Sequence, residues 1–199
     1  MSEAAQDGRR LRSDRRRRQI LDAATEIVST LGMSHLSHRE VAARAGSSLG
    51  LIRYHFDTVD KLAVAVLEDL ETQRHAAAME ALASASAAAT DDEAAALLLH
   101  TYYGADTSRA SLVSMLGWLL DAARQPVLAG FLRDQRPRID EDLVAVLAAL
   151  GRSRIRVALL RQVIDGAVVA AAAEGIEDTR ANVIAAISAA MDLIIEGTS

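Results

Sequence analysis

The chain of 199 residues has no cysteine, only two prolines, and aromatic side chains at just 3% of its positions. Lack of cysteine rules out a disulfide framework, a thiol nucleophile and thiolate metal ligands, and it suits a reducing compartment. The scarcity of proline leaves long stretches free to be helical, and abundant alanine favours that state. No period-two alternation competes with helix, so strands are not expected. No apolar run approaches the roughly 18 residues of a membrane span, and no signal-like apolar segment follows the N-terminal arginines. The expectation is a cytoplasmic protein without a membrane partner. A phosphate-cradling glycine loop, GxSxG and HExxH are also missing. His35 and His38 flank a helix start, and His75 and His100 stand alone in sequence. An enzyme is therefore not expected, nor a metal or cofactor.

What is present is 51% hydrophobic residues, enough for a substantial core, and an uneven distribution of charge. Residues 1–56 hold ten arginines against six acids, a net of +4, and the remainder holds twelve basic against twenty-one acidic residues, a net of −9. The total of −5 hides a basic N-terminal end. An acidic protein can bind DNA when its positive charge is gathered in one place.

That basic end carries LSHREVAARAGSSLGLIRYHF, Leu36 to Phe56. Ser37 followed by Glu40 is a capping-box pair, so a helix should begin just after Ser37. Val41, Ala42 and Ala45 give it an apolar face, and Gly46 stands where a left-handed residue would end it. Ser47 or Ser48 can cap a second helix with Leu49, Ile52 and Phe56 at spacings of three and four. Two short helices joined by a glycine turn form a helix-turn-helix, which points to DNA. Before it, residues 1–13 read as a disordered basic arm containing Arg9, Arg10 and Arg12. A helix from about Arg15 to Leu31 should follow, buried through Ile20, Ala24, Ile27 and Leu31. Arg15, Arg16, Arg17 and Arg18 at its first turn oppose the helix dipole, which a nearby phosphate would offset.

After Phe56 the pattern is helical to the end. Asp57 or Thr58 caps a helix carrying Leu62, Val66 and Leu70 inward, with a break or bend before about Ala89. Thr90, Asp91 and Asp92 offer the next cap, for a helix closed by Gly104. Another starts near Ser108, and Pro126 ends it or opens its successor. Pro137 should kink or divide the stretch from Pro126 to Leu150. A long apolar helix over 153–174 and a last one from Asp178 or Thr179 to about Ile195 complete an all-α fold of about nine or ten helices.

The order ILDAATEIVSTLG, SHREVAARAG, SSLGLIRYHF and DTVDKL closely resembles the N-terminal domain of the tetracycline-repressor (TetR) family of transcriptional regulators. The match spans roughly residues 15–64. The resemblance implies a three-helix DNA-binding domain over 14–60 and a larger helical domain over 61–199 that binds an effector and dimerises. It places Tyr54 and His55 at operator phosphates and Arg39 near a base, with Ser48, Leu49, Gly50 and Leu51 at the exposed start of the recognition helix. Leu49 and Leu51 cannot hydrogen-bond base edges, so any contact there is apolar, as with thymine methyls. Arg39 and Arg53 become the polar candidates, Arg53 for phosphate, together with Arg15 and Arg17.

In the second domain the family implies a small-molecule site. His100, Tyr103, Met115, Trp118, Leu119 and Asp121 are its candidate lining, aromatic bodies with polar handles, although core packing would explain each of them equally well. Family members pair through two long helices near the C-terminus, matching 138–150 and 153–174. Val144, Leu147, Val163, Gly166, Ala167 and Ala170 then form the expected homodimer face. The partners so implied are a near-palindromic double-stranded DNA operator, an unidentified small-molecule effector and a second copy of the chain. The expected role is repression relieved by the effector. An activator or an effector-independent regulator is the alternative, and a helical carrier or enzyme without DNA binding is the reading from another class.

Overall fold

The computed structural model describes residues 3–122 and 124–195. Among the described residues there are nine α-helices and no strand, apart from an isolated bridge between Ile155 and Ile195. The chain divides into two compact units, Met1–Asp69 and Leu70–Ser199. No helix of the described residues is long and apolar enough to cross a membrane.

The first unit holds α1 (Glu3–Leu31), a 3-10 turn at Met33–His35, α2 (His38–Arg44), α3 (Leu49–His55) and the beginning of α4 (Val59–Ser84). Residues 1 and 2 of the expected arm lie outside the described residues. From Glu3 onward the expectation of disorder is corrected, because α1 begins there rather than near Arg15. The segment is rich in alanine, glutamate, glutamine and arginine, which favour helix even without a core to cover. Burial begins only at Ile20, since residues 10–19 are all exposed.

Ile20, Ile27, Val41, Ile52, Leu62 and Val66 are completely buried and bring α1, α2, α3 and the start of α4 onto one core. Each such side chain contributes about 1.5–3 kcal/mol by leaving water. Ser37 caps α2 by accepting from the Glu40 amide at 3.1 Å, and Ser48 caps α3 by accepting from the Leu51 amide at 3.2 Å. Between them Gly46 takes φ 57°, and the Ser47 amide reaches back to the Ala42 carbonyl at 2.9 Å. That closes α2 with a Schellman pattern, which needs a residue free to be left-handed. Arg18 holds α1 to α4 by donating to Asp69 at 2.6 Å, and it also donates to Asp22 at 2.6 Å.

The second unit contains the remainder of α4, then α5 (Asp91–Tyr103), α6 (Arg109–Ala122), α7 (Pro126–Ala149), α8 (Val157–Ala173) and α9 (Thr179–Ala190). Thr90 and Glu93 form a complete capping box on α5. Pro126 sits at the first turn of α7, where its missing N–H costs nothing. Pro137 neither divides nor ends α7, which continues to Ala149. The last helix is shorter than expected. After Ala190 the chain turns, and the Ile194 carbonyl accepts from the Arg156 amide at 3.0 Å, so the terminus folds against the segment before α8. The core joins Leu98, Leu99, Leu112, Leu143, Val146, Leu160, Ile164, Val168, Val183 and Ile187 from five helices.

A buried ionic cluster crosses this core. Arg74 on α4 is 7% exposed, Glu71 9% and Asp142 on α7 5%. The Arg74 guanidinium donates to both Glu71 oxygens at 2.7 and 2.8 Å, to Asp142 at 2.6 Å and to the Thr101 carbonyl at 2.9 Å. His75 adds a contact to Asp142 at 2.9 Å. Burial opposes the arginine charge, but the Glu71 and Asp142 hydrogen bonds outweigh it and raise the Arg74 pKa. The backbone passes close by at Gly104, where a Cβ would stand 3.7 Å from the Arg74 Cα.

Candidate nucleic-acid interface and effector site

Helix α3 faces outward on the side that carries the expected DNA contacts. Ser48, Gly50, Arg53 and Tyr54 are exposed, Tyr54 to 78%, while Ile52 and Phe56 are buried and fix the helix on the core. Leu49, Leu51 and His55 are half-buried. Gly50 has ordinary helical backbone, and a Cβ there would meet nothing within 4 Å. Neither the turn nor the packing of this chain therefore requires a glycine, which weakens a helix relative to alanine. A smooth surface for close approach by another molecule is the remaining use.

Basic side chains surround this helix. Arg17 on α1 places its guanidinium 4.9 Å from the Phe56 ring centroid, which positions it beside the end of α3. His55 packs edge-on against Tyr54 with ring centroids 5.1 Å apart. Its pKa is lowered, first by burial and then by the charges of Arg17 and Arg16. The four groups Arg16, Arg17, Tyr54 and His55 thus form one basic patch drawn from two helices. Arg15 is exposed on the same part of α1, and Arg39 is exposed near the start of α2. Among the described residues neither Arg39 nor Arg53 makes an ion pair, so pairing of Arg39 with Glu40 does not occupy it. Arg18, by contrast, is committed to Asp69 and Asp22.

The candidate effector residues are only partly brought together. Met115 packs against the edge of the core, Trp118, Leu119 and Asp121 are half-buried on α6, and Tyr103 is 4% exposed at the end of α5. His100 turns toward Glu80 on α4, at 3.6 Å, rather than toward the tyrosine hydroxyls. Those hydroxyls meet a residue outside the expected set. Tyr102 donates to Asp165 Oδ2 at 3.1 Å and Tyr103 to Asp165 Oδ1 at 2.9 Å, the two rings lying edge-to-face at 5.1 Å. Burial raises the Asp165 pKa against the opposing effect of the two hydrogen bonds. The Tyr102 pKa is pushed up to about 12 by burial and by the neighbouring carboxylate. A signal for Asp165 existed in the sequence: it is the only acid in the apolar run VALLRQVIDGAVVAAAA. It reads there as half of a surface pair with Arg161, but Arg161 instead pairs with Asp140 of α7 at 2.7 Å.

Of the expected dimer residues, Val144 is 54% exposed and Gly166 and Ala170 are exposed, whereas Val163 and Ala167 pack partly against the chain's own core. Leu147 is 1% exposed and belongs to that core, which corrects its place on an outer face. A helix position one step from Val144 toward the interior has no surface left to offer.

Residues 20–66 match the family model of bacterial regulatory proteins of the tetR family, and residues 89–193 match the tetracyclin repressor-like C-terminal domain. The chain belongs to the TetR family. Among curated proteins, it is 27% identical over 172 residues to the HTH-type transcriptional regulator BetI of Escherichia coli strain K12, covering 84% of this chain and 88% of the relative. Among solved structures, the multidrug binding protein EbrR complexed with proflavin superposes with a TM-score of 0.64 at 28% identity, covering 90% of this chain and 99% of that one. A transcriptional regulator from Rhodococcus sp. Rha1 superposes with a TM-score of 0.68 at 24% identity, over 89% and 95% of the two chains, and shows the shared fold.

The TetR-family match begins at Ile20, where the buried stripe of α1 begins, and reaches Val66 in α4. The arginine-bearing turns of α1 before Ile20 precede it. As a TetR-family protein the chain is a DNA-binding transcriptional regulator and not an enzyme. Its departures from the common family pattern, Leu49 and Arg53 on α3, are placed by the fold at the half-buried edge and on the exposed side respectively.

Proposed function

We propose that this protein is a homodimeric cytoplasmic repressor that leaves a near-palindromic operator when its second unit binds a small molecule. The observation that carries the DNA side is the exposed face of α3, opened by Gly50 and flanked by Arg16, Arg17, Tyr54 and His55. In this reading Tyr54, His55, Arg53, Arg15 and Arg17 meet phosphates and fix register, and Arg39 reaches a base edge. Leu49 and Leu51 contribute apolar contact only. Two copies related by a two-fold axis would set two α3 helices about 34–36 Å apart, one helical turn of DNA.

Dimerisation is supported by the exposed face of α8, where Gln162, Gly166, Val169, Ala170 and Ala173 remain without cover in the single chain. Sensing is supported by the relationship to EbrR, described as a multidrug binding protein and solved with proflavin, ethidium and imidazole at 27–28% identity. Release requires only that the effector prefer the conformation whose recognition helices no longer fit successive grooves.

Footprinting of DNA upstream of the protein's own gene, at low salt, tests this reading together with sedimentation of the free protein. A protected two-fold site and a dimer at micromolar concentration are expected. No protected site, or a monomer, overturns it.

A further inference from the structure

Asp165 is a half-buried carboxylate that makes no ion pair among the described residues. A carboxylate withdrawn from water loses hydration that neutral hydrogen bonds restore only in part, and a cation is the natural remedy. The cations nearby do not supply it. Arg161 is held by Asp140 at 2.7 Å, and Arg136 acts on Asp165 through its charge without a bond. The Tyr102 and Tyr103 hydroxyls take one acceptor position on each Asp165 oxygen. An ionised carboxylate has about four such positions, so capacity remains.

The same two tyrosines set their rings at 83° to one another beside the charge. Aromatic faces attract diffuse positive charge and serve hard metal ions poorly, since those require several oxygen ligands. Among the described residues no group of three or more acids and histidines is placed to hold a metal. We infer that Asp165, with the rings of Tyr102 and Tyr103, is the recognition site for an organic cation, an ammonium or a delocalised aromatic cation, in the second unit. The inference rests on the reading of that unit as the effector-binding one. It shifts the centre of the site from the α6 side chains to the junction of α5 with α8. Tyr102 and Tyr103 orient the carboxylate, which supplies the counter-charge, and their rings exclude water from it.

The test is calorimetric titration of the full-length protein, without DNA, using ethidium, proflavin and choline as probes, with dimethylbutanol as choline's uncharged isostere. At least one cation should bind, and Asp165→Asn, which keeps the shape but removes the charge, should weaken it by roughly tenfold or more. Dimethylbutanol should bind more weakly than choline and be indifferent to the substitution. Equal cation affinity in Asp165→Asn, equal binding of the neutral isostere, or binding of none of the three cations overturns the inference. If Asp165→Asn melts early, Tyr102→Leu carries the same comparison: it retains the carboxylate and should lose several-fold in cation affinity alone, and unchanged affinity counts against the site. Failure of the DNA-binding reading shows separately, as an absent footprint, whatever the titrations give.

Discussion

In residues 1–69 the arginines Arg15, Arg16, Arg17, Arg39 and Arg53 stand exposed, whereas in residues 70–199 the groups Glu71, Arg74 and Asp142 are buried and Asp165 is half-buried. The first unit uses its core to hold charges out toward a large polyanion that arrives with its own solvent and counterions. The second encloses its charges, where the low dielectric makes each pairing strong and each missing partner costly. Exposed charges can be exchanged with little effect on folding. Enclosed ones cannot, because removing one strands another.

The largest effect should come from that enclosed set. Arg74→Ala leaves Glu71 and Asp142 without their shared cation and should destabilise the chain by about 3–5 kcal/mol, read as a lower midpoint in thermal or denaturant unfolding. A loss no greater than that of an exposed arginine such as Arg53→Ala would erase the contrast between the two units. Gly50→Ala should separate folding from binding. The fold should hold or gain up to about 1 kcal/mol in helix propensity, while operator affinity falls by roughly tenfold, about 1.4 kcal/mol. If affinity is unchanged, nothing approaches that face closely.

Arg53→Ala should lower the slope of log affinity against log salt by roughly one, with little change in stability. An unaltered slope removes Arg53 from the phosphate contacts. The smallest effect concerns His55. Burial and the charges of Arg17 and Arg16 lower its pKa in the free protein, so the unfolded chain takes up that proton more readily and the fold loses stability as pH falls below about 6.5. A DNA phosphate would favour the imidazolium and raise the pKa again. Operator affinity should then increase as pH falls through that window, and His55→Gln should flatten the profile. A wild-type profile already flat there excludes the contact.

Much of the first unit was legible because its signals are local. Ser37, Gly46 and Ser48 act on amides within a few residues of themselves, and Ile20, Ile27 and Ile52 recur at helical spacing. Less of the second was, since its chemistry joins distant positions. Glu71 and Arg74, three apart, look like an ordinary solvated pair until Asp142 arrives from α7. Leu147 and Val144 carry similar side chains on one helix, yet one is core and the other surface. The N-terminal stretch was misjudged for the opposite reason: its lack of a core partner suggested disorder, while its residue types support the continuous helix α1.

By itself the sequence determined an all-helical chain with a basic helix-turn-helix at one end, because caps, periodicity and charge are properties of neighbouring residues. Which acid would stand without a cation was decided only by the tertiary structure. Asp165 could be recognised when folding had assigned Arg161 to Asp140 and brought both tyrosine hydroxyls to the remaining carboxylate. Pairing among charges depends on which helices pack together, and no local pattern carries that information.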